Sequence, residues 1–155
     1  MSDTSPPPSK ILSLALRALR RLRGKRPPDM AKALGLQLRS YEHFESGAGR
    51  LNVDRVMAFG EATASDGFAI LAAVWIGSPQ FAVRCANNKL MTILVMALRD
   101  FDAAAGDAIA TLDAQTLIRA FEGALGGLRE EAQRRSAEDW LQDHAAKLPG
   151  KPGPS

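Results

Sequence analysis

Few side chains in this chain are suited to acid–base, nucleophilic or metal chemistry, and they are scattered. The two histidines, His43 and His144, stand far apart in the sequence. The single cysteine, Cys85, lies in "FAVRCANN", where a small apolar role fits better than a thiolate. One cysteine is also too few for a zinc site of the usual Cys/His type. Asp100, Asp102 and Asp107 in "RDFDAAAGD" lack the spacing of a calcium loop. "GALGGL" has neither the preceding strand nor the Lys-Ser/Thr pair of a phosphate-cradling loop. No enzymatic activity, metal or cofactor is expected. The chemistry that remains is recognition. In "QLRSYEHFESG", residues 37–47, Arg39, Glu42 and His43 fall away from the apolar side chains of their own segment. They combine a forked cationic donor, an acceptor, and a ring that can be either.

The bounds set by composition agree with this. At 155 residues the chain is about one domain, or a small domain with an extension, and its 46% apolar content supports a core. No apolar run reaches the ~18 residues of a membrane span, so no membrane partner is expected. "MSDTSPPPSK" lacks the basic-then-apolar order of a secretory leader. A lone cysteine cannot form an internal disulfide, and cytoplasmic, nucleoid-associated residence is the simplest expectation. Net charge is +3, unevenly spread: residues 10–55 hold eleven Lys/Arg against four Asp/Glu, whereas residues 56–155 hold nine against twelve. Such a basic stretch either meets a polyanion or is a solvated face, and charge leaves both open.

The elements that must position these residues read as helices, because no stretch sustains period-two alternation. The fold is expected to be all-α. "SDTSPPPS" makes residues 1–9 a disordered tail, and "LPGKPGPS" does the same for residues 146–155. The first helix spans 11–23, with Leu12, Ala15, Leu16, Leu19 and Leu22 on one face and Arg17, Arg20 and Arg21 on the other. Pro27 and Pro28 suit the first turn of a second helix that runs to about Leu34. A third starts at Gln37 and ends near Gly47. Asn52 caps a fourth, "VDRVMAFGEATA". "GFAILAAVWIG" is a short apolar helix, and "NNKLMTILVMALRDFD" is apolar almost all round, which predicts burial. Asp113 opens a last helix, 113–135.

The second and third helices form a pair. Tyr41 and Phe44 face inward, while Leu38, Arg39, Glu42 and His43 face out, with Gln37 at the start. Gly35 sits where a left-handed residue ends a helix. The result is a helix-turn-helix, whose second helix is shaped for a major groove. "MAKALGLQLRSYEHFESGAGRLNVDRVMAFGEA" resembles the XRE family of Cro/CI-type DNA-binding domains. The family pattern falls on Met30 and Ala31, on Leu34, Gly35 and Leu36, on Tyr41, and on Phe44, Glu45 and Gly47, within a match covering about residues 11–66. One departure is Pro27, where the family often has a Gln that braces a phosphate.

The resemblance implies a lambda-repressor-like domain, residues 10–66, that binds specific sequences in double-stranded DNA. By position it places Gln37, Leu38, Arg39, Glu42 and His43 at base edges, with Arg39 suited to guanine and Leu38 to a thymine methyl. Ser40, Arg50 and Asn52 become phosphate contacts, joined by Arg17, Arg20 and Arg21 from the first helix.

Residues 67–145 are expected to be a helical dimerisation region, packed partly on the head. Leu90, Ile93 and Leu94, with the stripe Leu117, Phe121, Leu125 and Leu128, would meet a second copy over an inverted-repeat operator. Two other readings are a merely completed monomeric core and a small-ligand pocket lined by Trp75, Met91 and Met96. This half bears a faint resemblance to short XRE regulators of alphaproteobacteria, some of which control phage-like elements such as gene transfer agents. It lacks the β-rich self-cleaving domain of larger phage repressors. The function expected is a transcriptional regulator, acting as a dimeric repressor. The alternatives are an activator that contacts polymerase or a co-factor, and a protein-interaction module whose helix-turn-helix has been retired.

Overall fold

A computed structural model describes residues 4–145, 147 and 150. Among the described residues every regular element is helical and none is a strand. The chain divides into two compact units, one ending at Ala104 and one beginning at Ala105.

The first unit is built on α1, Pro8–Leu22, which buries Ile11, Leu12, Ala15, Leu16 and Leu19. It begins inside the segment expected to be tail, because Pro8 occupies the first turn, where its missing N–H is no loss. Leu22 is 49% exposed, since the inward stripe ends with Leu19 one turn earlier. Around α1 come α2 (Pro27–Ala33), α3 (Leu38–Glu45), α4 (Val53–Ala62), α5 (Gly67–Ile76) and α6 (Pro79–Arg84). Asn52 caps α4 as expected, its side-chain oxygen accepting from the Arg55 amide at 3.0 Å. The six-residue α6 shows no periodic pattern in the sequence, being too short to complete two turns.

The expected boundary between residues 66 and 67 falls inside this core. Ile70, Leu71 and Ala73 of α5, with Ala82 and Ala86, share one cluster with Leu16, Leu19, Met30, Tyr41, Val56 and Phe59. The cause is geometric. Helices α2 to α4 leave part of α1 uncovered, and α5 and α6 close it. The head unit therefore runs well past residue 66. Among the described residues, no buried side-chain nitrogen or oxygen lacks a partner.

Helix α7, Leu90–Ala105, departs from expectation. It buries none of its residues, and Ile93, Leu94, Met96, Leu98 and Phe101 are exposed. An apolar circumference reports a preference for burial, not the presence of a partner within one chain. A ligand pocket lined by Trp75, Met91 and Met96 is likewise not formed, since Trp75 and Met96 are exposed, Trp75 by 73%.

In the second unit a 3-10 segment, Gly106–Thr111, precedes α8, Ala114–Ala145. Asp113 caps α8 by accepting from the Thr116 amide at 2.8 Å, and the Thr116 side chain, with this amide bond, holds its carboxyl below the usual range. The helix outlasts its expected end by ten residues because Arg134 bridges Glu131 and Glu138, Arg135 joins Glu131, and Trp140 stacks on His144 at 4.4 Å. None of α8 is buried. The expected tail at 146–155 lies outside the described residues except for Lys147 and Gly150.

Cys85 closes the underside of the head. It is buried, and burial, aided by the negative charge of Asp66, pushes its thiol above the ordinary range. Both effects suppress the thiolate, which is the reactive form. A thiol reagent should therefore label Cys85 only as fast as the head unfolds, and fully in denaturant. Stoichiometric labelling of the folded protein within seconds would contradict this packing.

Candidate nucleic-acid interface

The residues expected at base edges stand on α3 or, for Gln37, just before it, and α2 and the turn hold that helix in place. Asp29 stabilises the start of α2 by accepting from the Arg26 amide at 2.9 Å, and this bond with the Arg26 guanidinium lowers its carboxyl pKa. At the other end Gly35 takes φ +65°, and the Leu36 amide donates back to the Ala31 carbonyl at 2.8 Å. That reversal lets α3 begin three residues later. Its exit is as constrained. Gly47 has φ +76° and is buried against α1, where an added Cβ would overlap the Ser9 carbonyl oxygen.

The inward face of α3 is locked by a polar cluster inside an aromatic one. Tyr41 is fully buried, and its hydroxyl donates to Glu45 Oε1 at 3.2 Å. Arg20 of α1 donates from Nε to the same oxygen at 2.5 Å, with side-chain exposures of 12% for Arg20 and 8% for Glu45. Arg20 also donates to the Lys25 carbonyl at 3.1 Å. Burial, with the Glu45 charge beside it, pushes the Tyr41 phenol well above its ordinary range. Phe44 packs between Tyr41 and Phe59 at 6.3 and 6.2 Å, and the Arg55 guanidinium lies 5.9 Å over its ring.

This arrangement corrects one expected phosphate contact. Arg20 sits at the flank of α1, not on its outer face, and its charge is spent on Glu45. Arg17 and Arg21 do lie outward and exposed. Asn52 is half committed, its oxygen capping α4 while its amide NH2 stays available.

The outward face of α3 is free. Leu38, Arg39, Ser40, Glu42 and His43 are all exposed, as is Gln37 before them. None of these side chains has a hydrogen-bond or ion-pair partner among the described residues. The His43 ring lies beside Gly49, which brings the loop carrying exposed Arg50 up to the α3 surface. Arg17 lines a surface hollow with Lys10 and Ser46, just beyond the end of α3. Lys10 was missed in the sequence, although it stands seven residues before Arg17 and shares its helical face. The expected dimer residues Leu90, Ile93 and Leu94 lie on α7, and Leu117, Phe121, Leu125 and Leu128 on α8, mostly exposed.

No family model, curated protein or solved structure matches this chain. Among the described residues no helix is long and apolar enough to cross a membrane, and no three His, Cys, Asp or Glu side chains gather as a metal site.

Removing Glu45 leaves the part-buried Arg20 guanidinium with only the Lys25 carbonyl and the buried Tyr41 hydroxyl without its acceptor. Glu45→Ala should cost about 2–4 kcal/mol of stability, and Tyr41→Phe, which removes one donor, about 1 kcal/mol. Urea titrations read both. A Glu45→Ala midpoint equal to that of wild type would mean the cluster contributes nothing.

Proposed function

We propose that this protein is a sequence-specific double-stranded DNA-binding transcriptional regulator that works as a dimeric repressor. The α2–turn–α3 pair is read as a helix-turn-helix of the Cro/CI type, with α3 in the major groove. One observation carries the reading. The helix whose inner face is locked by Tyr41, Phe44 and Glu45 presents an outer face of unpartnered hydrogen-bonding side chains. A rigid helix with free donors and acceptors suits the base edges of a groove.

The roles follow from chemistry. Arg39 offers a fork to the O6 and N7 of guanine, and Glu42 accepts from the amino group of cytosine. His43 and Gln37 supply further polar contacts, and Leu38 meets a thymine methyl. Arg17, Arg21, Lys10 and Arg50 attract the phosphates, with Ser40 and the Asn52 amide as neutral donors. These four cations are exposed with no carboxylate partner among the described residues, which disfavours an interaction module that has given up its DNA surface.

The second copy in this reading meets the uncovered faces of α7 and α8. Leu90, Leu94, Ala97 and Phe101 recur at four, three and four residues, and Ile118, Phe121, Leu125 and Leu128 at three, four and three. Alternating threes and fours are the spacing of helices that pair along a seam. Stripes of this kind on a chain with one α3 match a two-fold dimer on an inverted repeat, its heads about 34 Å apart. Repression is favoured because a dimer clamped on a promoter excludes polymerase without further parts.

Two measurements test the reading. Arg39→Ala should weaken binding to a selected inverted repeat by about 1–3 kcal/mol and relax preference at one base position. Unchanged binding would remove α3 from the interface. Sedimentation equilibrium should find a dimer at micromolar concentration. Leu94→Glu with Leu125→Glu should give a folded monomer, since both positions are exposed within one chain. A monomeric wild type would refute the dimer.

A further inference from the structure

Helix α7 is fastened at its root by hydrogen bonds and buries none of its residues. Asp66 is 1% exposed, at the start of α5. Its Oδ1 accepts from the Ala69 amide at 3.2 Å, capping α5, and from the Thr92 hydroxyl at 2.8 Å. Its Oδ2 accepts from the Met91 amide at 2.9 Å and the Thr92 amide at 3.2 Å. One carboxylate thus caps two helices. The first four amides of a helix have no partner within it. At the start of α7, counting from the preceding Lys89, each finds one elsewhere: Lys89 donates to the Cys85 carbonyl, Leu90 to Asn88 Oδ1, and Met91 and Thr92 to Asp66.

The approach to α7 is fastened as well. Lys89 takes φ +58°, uncommon for a side-chain-bearing residue, and its Nζ donates to the Ser65 carbonyl at 2.7 Å. Arg23 donates to the Thr63 carbonyl at 2.7 Å, the Ala64 carbonyl at 2.9 Å and Asn87 Oδ1 at 2.8 Å. These bonds tie the end of α1, the α4–α5 turn and the α6–α7 link to one point. Beyond that root, α7 buries none of its residues. Apolar packing is non-directional and tolerates sliding, whereas hydrogen bonds to one buried carboxylate fix an axis.

We propose that Asp66 is a positioning residue which, through the Met91 and Thr92 amides and the Thr92 hydroxyl, sets the direction in which α7 leaves the head and so the spacing of operator half-sites. This rests on the dimeric DNA-binding reading above. If two copies join along α7, the angle at each root determines where the two α3 helices fall. Arg39 and its neighbours then read the bases, and Asp66 determines how far apart the two readings must lie.

The probe is the inverted repeat recovered by selection from random duplexes, with its native centre or with about five base pairs inserted, which turns one half-site to the opposite side of the helix. Wild type should prefer the native centre by about 100-fold, the scale of linked binding. Asp66→Ala, still dimeric by sedimentation and equal to wild type on an isolated half-site, should prefer it by about tenfold or less. Thr92→Val removes one donor and tests the same point if Asp66→Ala fails to fold; its preference should lie between the two. Asp66→Asn, which keeps one acceptor oxygen, should restore part of the preference. An unchanged ratio in Thr92→Val, or an equal loss on both duplexes in Asp66→Ala, would overturn the proposal. A wild type indifferent to the insertion would overturn the dimeric reading and this proposal with it. Amide exchange in the wild type separates the two failures. Slow exchange at Met91 and Thr92 places the fault in the dimeric reading, and fast exchange places it in the root of α7.

Discussion

Everything the head presents depends on one shared acceptor, Glu45 Oε1, between the Arg20 guanidinium and the Tyr41 hydroxyl. Helix α3 has eight residues, far below the ~12–15 at which an isolated helix begins to hold in water. It is helical because its inner face is fastened. Tyr41 and Phe44 supply the apolar part of that fastening, and the Arg20–Glu45 pair supplies direction. A buried ion pair contributes little net stability once desolvation is counted, but it is costly to break on one side. The pair therefore selects one rotation of α3 about its own axis. In that rotation Arg39, Glu42 and His43 point away from the protein.

A second buried carboxylate repeats this logic elsewhere. Asp66 accepts from the starts of both α5 and α7, as Glu45 accepts from both α1 and α3. Small residues take a large share of the core. Ala15, Ala31, Ala69, Ala73, Ala82 and Ala86 are all buried, so helix backbones approach closely and short polar groups can reach across. The larger apolar side chains are divided: Leu16, Leu19, Met30, Tyr41, Phe59 and Ile70 share the core with these alanines. Leu94, Phe101, Phe121, Leu125 and Leu128 lie outside, on α7 and α8. Large apolar side chains left exposed in stripes are what a second copy would cover in the dimeric reading.

Charge is deployed with similar division. Arg20, Arg23, Arg26 and Arg55 are engaged with Glu45, backbone carbonyls, Asp29 and the Phe44 ring. Lys10, Arg17, Arg21, Arg39 and Arg50 are exposed without an ion-pair partner among the described residues. The basic third of the chain is thus part scaffold and part free field, and only the second part attracts a distant polyanion.

Local rules sufficed for much of this. Helix periodicity, the Pro27–Pro28 start, the left-handed Gly35 and the caps Asn52 and Asp113 act within a few residues, so the sequence alone determined an all-helical chain and the outward side of α3. Whatever depends on distant partners was decided by tertiary structure. Arg17, Arg20 and Arg21 look alike in sequence, yet Arg20 alone of the three meets Glu45, twenty-five residues on. The apolar circumference of α7 predicted burial, but burial needs a neighbour, and helix periodicity carries no information about neighbours. Residues 66 and 67 looked like a boundary because "SDG" breaks a helix, whereas α5 folds back on α1 and continues the same core. Asp66 itself reads as an ordinary turn residue. Its second role, capping α7, exists only because packing brings Met91 and Thr92 to a carboxylate twenty-five residues earlier in the chain.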